Sequence, residues 1–491
     1  MKIKVLAEAR GSYRKAFLDE MIRQSEGDIE LALHFGDKNS DFDAPSLNRQ
    51  EIKKAKSGRI ITTANYAGAN LQLINSEFFN SSVKRFADQI HRSSPKYQKR
   101  SHKMLNLHEY IDYYHILSDT IAEQILDREV THAIFFDIPH LAVDTIIYDV
   151  AKSMGIKTII LTQFFPNKIF STEKIEDFGD VSLNLENAPC YPLDRRGENT
   201  PSYMDAAWQE VGSRGNLTAK HKFNFLFYLL LNHPSALLNW HFIRQVLTKM
   251  NSIVSKFPEW RNPFDRFFDQ SYLDYLEYLS DYEGCSVNFD QPYIYVPLHL
   301  QPEMTTSALG GIYCDQLLMI EHLHNILPDG WKILVKENPK QGPFARGAMF
   351  FHRLNRLDRV QMVPSDTNTS SLAKNSQIVA TVTGTAAWEA IQLGKPAITF
   401  GRAWFNSIPG IMKFDAQMDL IEVSKTVIDP LAVSKAAGAL FERCHLGNID
   451  KGFFSQVEKF DKIRNAQNVG KLLNELLKED ANFTFDGKIE I

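Results

Sequence analysis

The chain has 491 residues, more than one ordinary domain holds and enough for two with an insertion. Its hydrophobic fraction of 44% and charged fraction of 23% are those of a globular protein able to bury large cores. A net charge of −4 argues against a nucleic-acid binder, which needs a strongly basic face, while leaving room for a local basic patch.

In chain order, Lys2–Leu6 reads as a short strand, Glu8–Ser12 as a polar turn containing Gly11, and Tyr13–Ile22 as a helix. Ile29–His34 is a second apolar run with a polar stretch after it. Leu105–Ile125 has helical spacing over one or two helices. Ala133–Phe136 is a compact strand, Asp137–His140 the loop after it, and Ala142–Met154 a helix closed by Gly155 as a left-handed cap. Ile156–Leu161 completes a βαβ unit, whose strands lie parallel in a sheet covered on both faces. The region from about Phe165 to Asp290 reads differently, with no clear strand alternation up to about Gly215. The stretch is loop-rich to about Gly215, then aromatic and helical from Lys220 to Tyr282. Its apolar run Phe223–Leu231 is too short to span a bilayer, which takes about 20 residues. It reads as a buried helix, with docking on a membrane or partner as the alternative.

From Tyr293 the alternation is regular. Strands are expected at Tyr293–Leu298, Lys332–Lys336, Val360–Val363, Ile378–Val382 and Ala397–Gly401. Helices are expected at Asp315–Ile326, Ser370–Lys374 and Ala386–Leu393, and the tail from Val423 to Leu477 is helical. The expected organisation is an N-terminal Rossmann-like domain over 1–165, a helical insertion or linker over 166–290, a C-terminal Rossmann-like domain over 291–420 and a helical tail over 421–491. Cys190, Cys285, Cys314 and Cys444 lie far apart without a CxxC pair, so no zinc site or disulfide framework is indicated and a reducing cytoplasm fits. The N-terminal stretch lacks the apolar core of a signal peptide.

In open α/β sheets ligands bind beyond the carboxyl ends of the strands, so the loops there are the candidates. His299–Gly311 offers Gln301, Glu303, Thr305, Thr306 and Ser307, groups that suit a phosphate or sugar; Glu303 is a candidate general base or a sugar hydrogen-bond acceptor. Val335–Gln341 carries Lys336, Asn338 and Lys340, cations and an amide placed to neutralise a phosphate leaving group, or else a solvated charged turn. Arg346 and Arg353 follow in a more ordinary basic stretch. In Thr381–Gly401, Thr383, Gly384 and Thr385 form a small-residue turn leading straight into a helix, where backbone N–H groups and the dipole favour a phosphate. Glu389, four residues on, shares the helix face of Thr385 and is placed for a ribose. In Asp137–His140, either Asp137 or His140 can serve an acceptor as base, or Asp137 can act as nucleophile in a retaining mechanism; a capping Asp and a structural His are the plainer reading. The loop Glu8–Ser12 is a weaker candidate.

These motifs, QPEMTTSALGG, VKENPKQ and TGTAAWEAIQLGKPAITFG, together resemble the bacterial capsule polysaccharide biosynthesis family over about 291–410, with a looser similarity in IPHLAVDTIIYDVAKSMGIKTI. The resemblance implies a GT-B-like α/β fold, two doubly wound domains facing a cleft, and a glycosyltransferase that binds its nucleotide-sugar donor mainly through the C-terminal domain and a glycan or glycolipid acceptor on the N-terminal side. It implies no essential metal and no cofactor beyond the donor, and by position it puts Glu389 on the nucleotide ribose. That family includes capsule β-Kdo transferases. Families using CMP-activated sugars often carry His-Pro at the second strand end, where this chain has Asn338-Pro339, so UDP or another nucleotide stays open. The expected partners exclude nucleic acid, and the expected place is the cytoplasm, with or without peripheral association with the inner membrane or a polysaccharide assembly complex. The alternatives are a nucleotide-sugar epimerase or hydrolase, and a non-catalytic assembly, export or carbohydrate-binding factor.

Overall fold

The computed structural model describes residues 2–36, 41, 67–69, 107–140, 142–194, 227, 230, 234, 238–246, 270–283, 285–301, 303–339, 341–342 and 345–488. Two compact units emerge. The first comprises Met1–Cys190, Pro302–Leu309 and Lys435–Ile491; the second comprises Tyr191–Gln301 and Gly310–Ser434. Each is a mixed α/β unit built on a largely parallel sheet, as the periodicity of short apolar strands and amphipathic helices requires.

In the first unit, β1 (Ile3–Glu8), β2 (Ile29–Phe35), β3 (His132–Phe135), β4 (Lys157–Phe165) and β5 (Lys168–Thr172) line up in the order β2-β1-β3-β4-β5. The pairs are parallel except β4 with β5, which is antiparallel. Side chains alternate across the sheet because successive Cβ atoms point to opposite faces. Ile134 and Phe136 therefore join Phe17, Leu18 and Met21 of α1 (Gly11–Gln24) and Val469, Leu472 and Leu473 of α12 (Lys462–Leu477) in one buried cluster. Phe135 points the other way and meets Tyr148 of α3 (Ala142–Ser153) at 5.9 Å between ring centres. α3 lies beside α2 (Leu107–Asp127), where the Tyr114 hydroxyl donates to Asp149 at 3.3 Å. Both faces are thus covered. Gly155 takes φ 71° after α3, as its place at the helix end predicts.

In the second unit the strands are β6 (Tyr293–Pro297), β7 (Lys332–Lys336), β8 (Val360–Met362), β9 (Ile378–Thr381), β10 (Ala397–Thr399) and β11 (Ile411–Lys413), all parallel, in the order β11-β10-β9-β6-β7-β8. Ile294 and Val296 of β6 pack with Leu317, Ile320 and Leu323 of α6 (Gln316–Asn325), while Tyr293 faces away and its hydroxyl donates to the Leu372 carbonyl at 2.8 Å. Leu372 lies in α8 (Thr369–Asn375), and α9 (Ala386–Gln392) follows β9. Asp315 caps α6 by accepting from the Leu317 N–H, and Asn368 caps α8 by accepting from the Ser371 N–H.

Several expectations need correction. Where one or two helices were expected after Leu105, the described residues form one, α2. The region from 166, read as free of strands, opens with β5, which is held at the sheet edge by its antiparallel pairing to β4. Its five residues carry too short an alternation to register as a strand on their own. The loop His299–Gly311 contains a short helix, α5 (Met304–Leu309), and the basic stretch after 345 contains α7 (Ala348–Asn355). β11 was also not anticipated. Within the helical stretch 220–282, residues 240–246 and α4 (Gln270–Ser280) are helical and supply Phe242, Val246, Tyr275 and Leu276 to the second core. Of the run Phe223–Leu231, most lies outside the described residues; Phe227 and Leu230 are helical and about half exposed. No helix among the described residues is long and apolar enough to cross a membrane. The tail holds α10 (Leu420–Ser424), α11 (Pro430–Glu442) and α12, and all from 435 onward belongs to the first unit.

Candidate functional site

A doubly wound sheet has a topological switch point where consecutive connections leave in opposite directions, and the crevice beyond the strand ends there is where ligands lie. In the second unit the chain runs outward from β6 through β7 to β8, then returns to β9 beside β6 and runs outward the other way. The switch point lies between β6 and β9. Two of the sequence-derived loops open there: the one after β6, beginning at His299, and the turn Thr383-Gly384-Thr385 after β9.

The two strand ends are tied together by one contact. His299 Nε2 lies 2.6 Å from Thr381 Oγ1, and the same Thr381 oxygen accepts from the Gly384 N–H at 3.2 Å. A Cβ at Gly384 would sit 2.7 Å from both His299 Cε1 and Thr381 Oγ1, so only glycine lets the turn lie this close. Burial, assisted by the Arg346 cation, pushes the His299 pKa down to about 4, so its imidazole is neutral near pH 7. Thr383 is buried, and its hydroxyl has no hydrogen-bond partner among the described residues. Thr385 donates to Glu389 Oε1 at 3.1 Å, fixing the carboxylate on the first turn of α9. Burial raises the Glu389 pKa, Thr385 opposes it, and Asp194 adds to the rise.

The loop after β7 is tied into the surrounding scaffold. The Lys336 amine donates to the Thr367 carbonyl and, at 3.2 Å, to Thr369 Oγ1, tying the end of β7 to the start of α8. Its pKa is lowered by burial, with Asp366 and Glu283 opposing. Asn338 is half-buried, its N–H held by Glu337 Oε1 at 2.8 Å, and Lys340 lies outside the described residues.

Sequence reasoning missed the polar core beneath these loops. Arg346 is 1% exposed, and its Nε meets Glu337 Oε2 at 2.7 Å. Its Nη1 donates to Gln301 Oε1 at 3.1 Å and its Nη2 to the His299 carbonyl at 3.4 Å, while the guanidinium lies 4.5 Å from the Phe350 ring centre. Gln301 Oε1 also accepts from Gln316 at 2.8 Å, Gln301 Nε2 donates to the Cys314 carbonyl, and the Gln301 N–H donates to Gln341 Oε1 at 2.7 Å. Gln301, expected at the donor, is therefore committed to holding the loops after β6 and β7 in register. Arg353, by contrast, pairs with Asp315, the N-cap of α6, and with Glu321 within that helix. The signal available beforehand was the density of amides and one carboxylate around an arginine, a set that surface loops do not need.

The remaining candidates fall in the first unit. Glu303 Oε1 accepts from the Met304 N–H at 3.1 Å at the start of α5, Thr305 is half-buried, and Thr306 and Ser307 are buried in that helix. The switch point of the first sheet lies between β1 and β3, and there the Glu8 and Asp137 loops meet. Buried Glu8 pairs with Arg14 through Oε1 and accepts the Phe136 N–H at 3.1 Å through Oε2; Arg14 also donates to the Phe136 carbonyl at 3.2 Å. Arg10 bonds Asp144 Oδ1 at 2.6 Å. Burial pushes Asp137 up to about 7 and Asp144 up to about 6, with Arg14 and Arg10 respectively pulling each down. His140 Nδ1 lies 2.7 Å from the Ile138 carbonyl. The weaker loop at Glu8–Ser12 thus contributes more to this cluster than its sequence suggested.

Residues 285–426 match the family model described as capsule polysaccharide biosynthesis protein. This segment belongs to that family. The capsule-family segment takes in β6 through α10 and with them every strand-end loop of the second sheet. No curated protein matches the chain. Among solved structures, similarity is found to the Thermosulfurimonas dismutans KpsC β-Kdo 2,4 transferase, at 14% identity over 66% of this chain and 83% of that chain with TM-score 0.28. The KpsC β-Kdo 2,7 transferase of the same organism gives 9%, 81%, 97% and 0.30. The Anabaena HepE structure in complex with UDP-glucose gives 11%, 96%, 100% and 0.28. These distant similarities carry none of the functional reading.

Proposed function

We propose that the chain is a glycosyltransferase of capsular or surface polysaccharide biosynthesis, transferring a sugar from a nucleotide-sugar donor to a glycan or glycolipid. The observation that carries this reading is the coincidence of the capsule-family segment with the β6/β9 switch point, where Gly384, the unpartnered Thr383 hydroxyl and Glu389 share one turn. The turn suits the donor phosphates, Glu389 the ribose, and Lys336 the charge that grows on the departing nucleotide. In the first unit, Asp137 holds a proton to about pH 7, the range in which a general base both accepts and releases one. In the transfer step a general base takes the proton of an acceptor hydroxyl, whose oxygen bonds the anomeric carbon while the bond from that carbon to the phosphate oxygen breaks with its electrons leaving on the nucleotide. The chain works in the cytoplasm in this reading, with or without attachment to the inner membrane face.

A thermal-shift series with CMP, UDP, GDP and their sugars tests the donor half, because a ligand that binds only the folded chain raises its stability by mass action. One nucleotide class is expected to raise Tm, and Glu389→Ala to remove most of the rise. No shift with any of them, or a shift indifferent to Glu389→Ala, contradicts the reading.

A further inference from the structure

We propose that His299 is a ligand-binding residue of the second unit, a neutral imidazole in the Nδ1–H tautomer that offers this N–H to a phosphate oxygen of the nucleotide. The inference deepens the reading above and rests on it for the identity of the ligand.

The argument begins at Thr381. Its side chain is fully buried at the end of β9, and its oxygen has two neighbours. One, the Gly384 N–H, is a donor and fills a lone pair of the hydroxyl oxygen. The hydroxyl proton must then find an acceptor, and among the described residues the only one in reach is His299 Nε2 at 2.6 Å. Were Nε2 protonated instead, both contacts would be donors and the Thr381 proton would be buried without an acceptor, an outcome folded proteins avoid. Nε2 therefore accepts, and the ring's one proton resides on Nδ1. A charged imidazolium is disfavoured by burial and by the Arg346 guanidinium, whose Nη2 already reaches the His299 carbonyl at 3.4 Å.

The ring is fixed as well as oriented. Gly384 packs against Cε1 with no room for a side chain, the Thr381 contact holds Nε2, and the His299 N–H and carbonyl are held by Gln316 at 2.7 and 3.1 Å. No hydrogen-bond partner among the described residues meets Nδ1, although His299 keeps part of its surface in contact with solvent. A rigid donor with its partner unfilled, at the switch point and beside the buried unpartnered hydroxyl of Thr383, is what an anionic oxygen needs.

Two substitutions separate the ring's two ends. In His299→Asn the side-chain amide falls where Nδ1 was and the Thr381 contact is lost; in His299→Gln the amide reaches the Nε2 position and the Nδ1 donor is lost. Calorimetric titration with UDP, CMP and GDP is expected to show His299→Gln weakened by about tenfold to a hundredfold, the range for a hydrogen bond to a charged group, and His299→Asn by much less. Equal loss in both, or greater loss in His299→Asn, would mean that the ring serves only to tether Thr381 and overturns the proposal. If wild type binds none of the three, the nucleotide reading itself fails, and the ligand half of this proposal fails with it. The tautomer is then still decided by 15N NMR of histidine-labelled wild-type protein, with the His299 signal assigned by its loss in His299→Gln: protonated Nδ1 is expected, and protonated Nε2 contradicts the assignment.

Discussion

Asp137 illustrates how one carboxyl can work against the fold that holds it. Its ordinary value of 3.8 is raised to about 7 because burial penalises the charge more than Arg14 relieves it. A group that binds its proton more tightly when folded stabilises the chain fully below its unfolded value, and that contribution is lost as pH rises through about 7. Asp137→Asn lacks this dependence. Denaturant titrations at pH 5 and pH 8 should therefore find the variant gaining on wild type at the higher pH, on the order of 2 kcal/mol. An unchanged difference between the two pH values would contradict the burial argument. The residue itself was legible in the sequence as a polar group at a strand end. Its environment was not, because Glu8 and Arg14 come to it only through the parallel pairing of β1 with β3, across more than a hundred residues.

At the scale of elements, the loops after β6 and β7 are held by the buried pair Arg346–Glu337 rather than by regular structure. Removing one partner leaves a buried charge uncompensated, which costs about 3–5 kcal/mol; replacing both with neutral groups of similar volume costs much less. Arg346→Met and Glu337→Gln singly are expected to lower unfolding free energy strongly, and the double variant to recover much of the loss. Additive losses would show that the pair does not act as a unit. Helix packing gives a second case. A Cβ on Gly470 of α12 would lie 2.8 Å from Glu20 Cβ and 2.9 Å from the Met21 nitrogen of α1. Gly470→Ala should destabilise the first unit by about 1–3 kcal/mol, read by chemical unfolding, despite alanine's better helix propensity. The strands from β6 to β10 were visible in the sequence, because each is a compact apolar run in a regular alternation with helices. β5, β11, α5 and α7 fall outside that alternation and were not.

The whole chain is threaded unexpectedly. It builds most of the first unit, then the second, and returns at residue 435 to complete the first with α12 and the segment ending near Phe485. Gly447, His445 and Phe485 meet β5, the His445–Ile169 and Phe485–Thr172 bridges closing its free edge. Helical periodicity alone announced the tail as helices, but it carries no information on which sheet they cover. What the sequence did reveal was the second sheet's strand-end turn, because a small-residue turn, a helix carrying Glu389 and a capping glycine lie next to one another in the chain. The central claim is that this turn grips the nucleotide while the cluster around Asp137 serves the acceptor. Calorimetric titration of the donor nucleotide into wild type, Glu389→Ala and Asp137→Asn tests it most directly. The account predicts binding weakened at least about tenfold in Glu389→Ala, as for loss of a charge-assisted hydrogen bond, and essentially unchanged in Asp137→Asn. Undiminished binding in Glu389→Ala, or loss in Asp137→Asn alone, would contradict it.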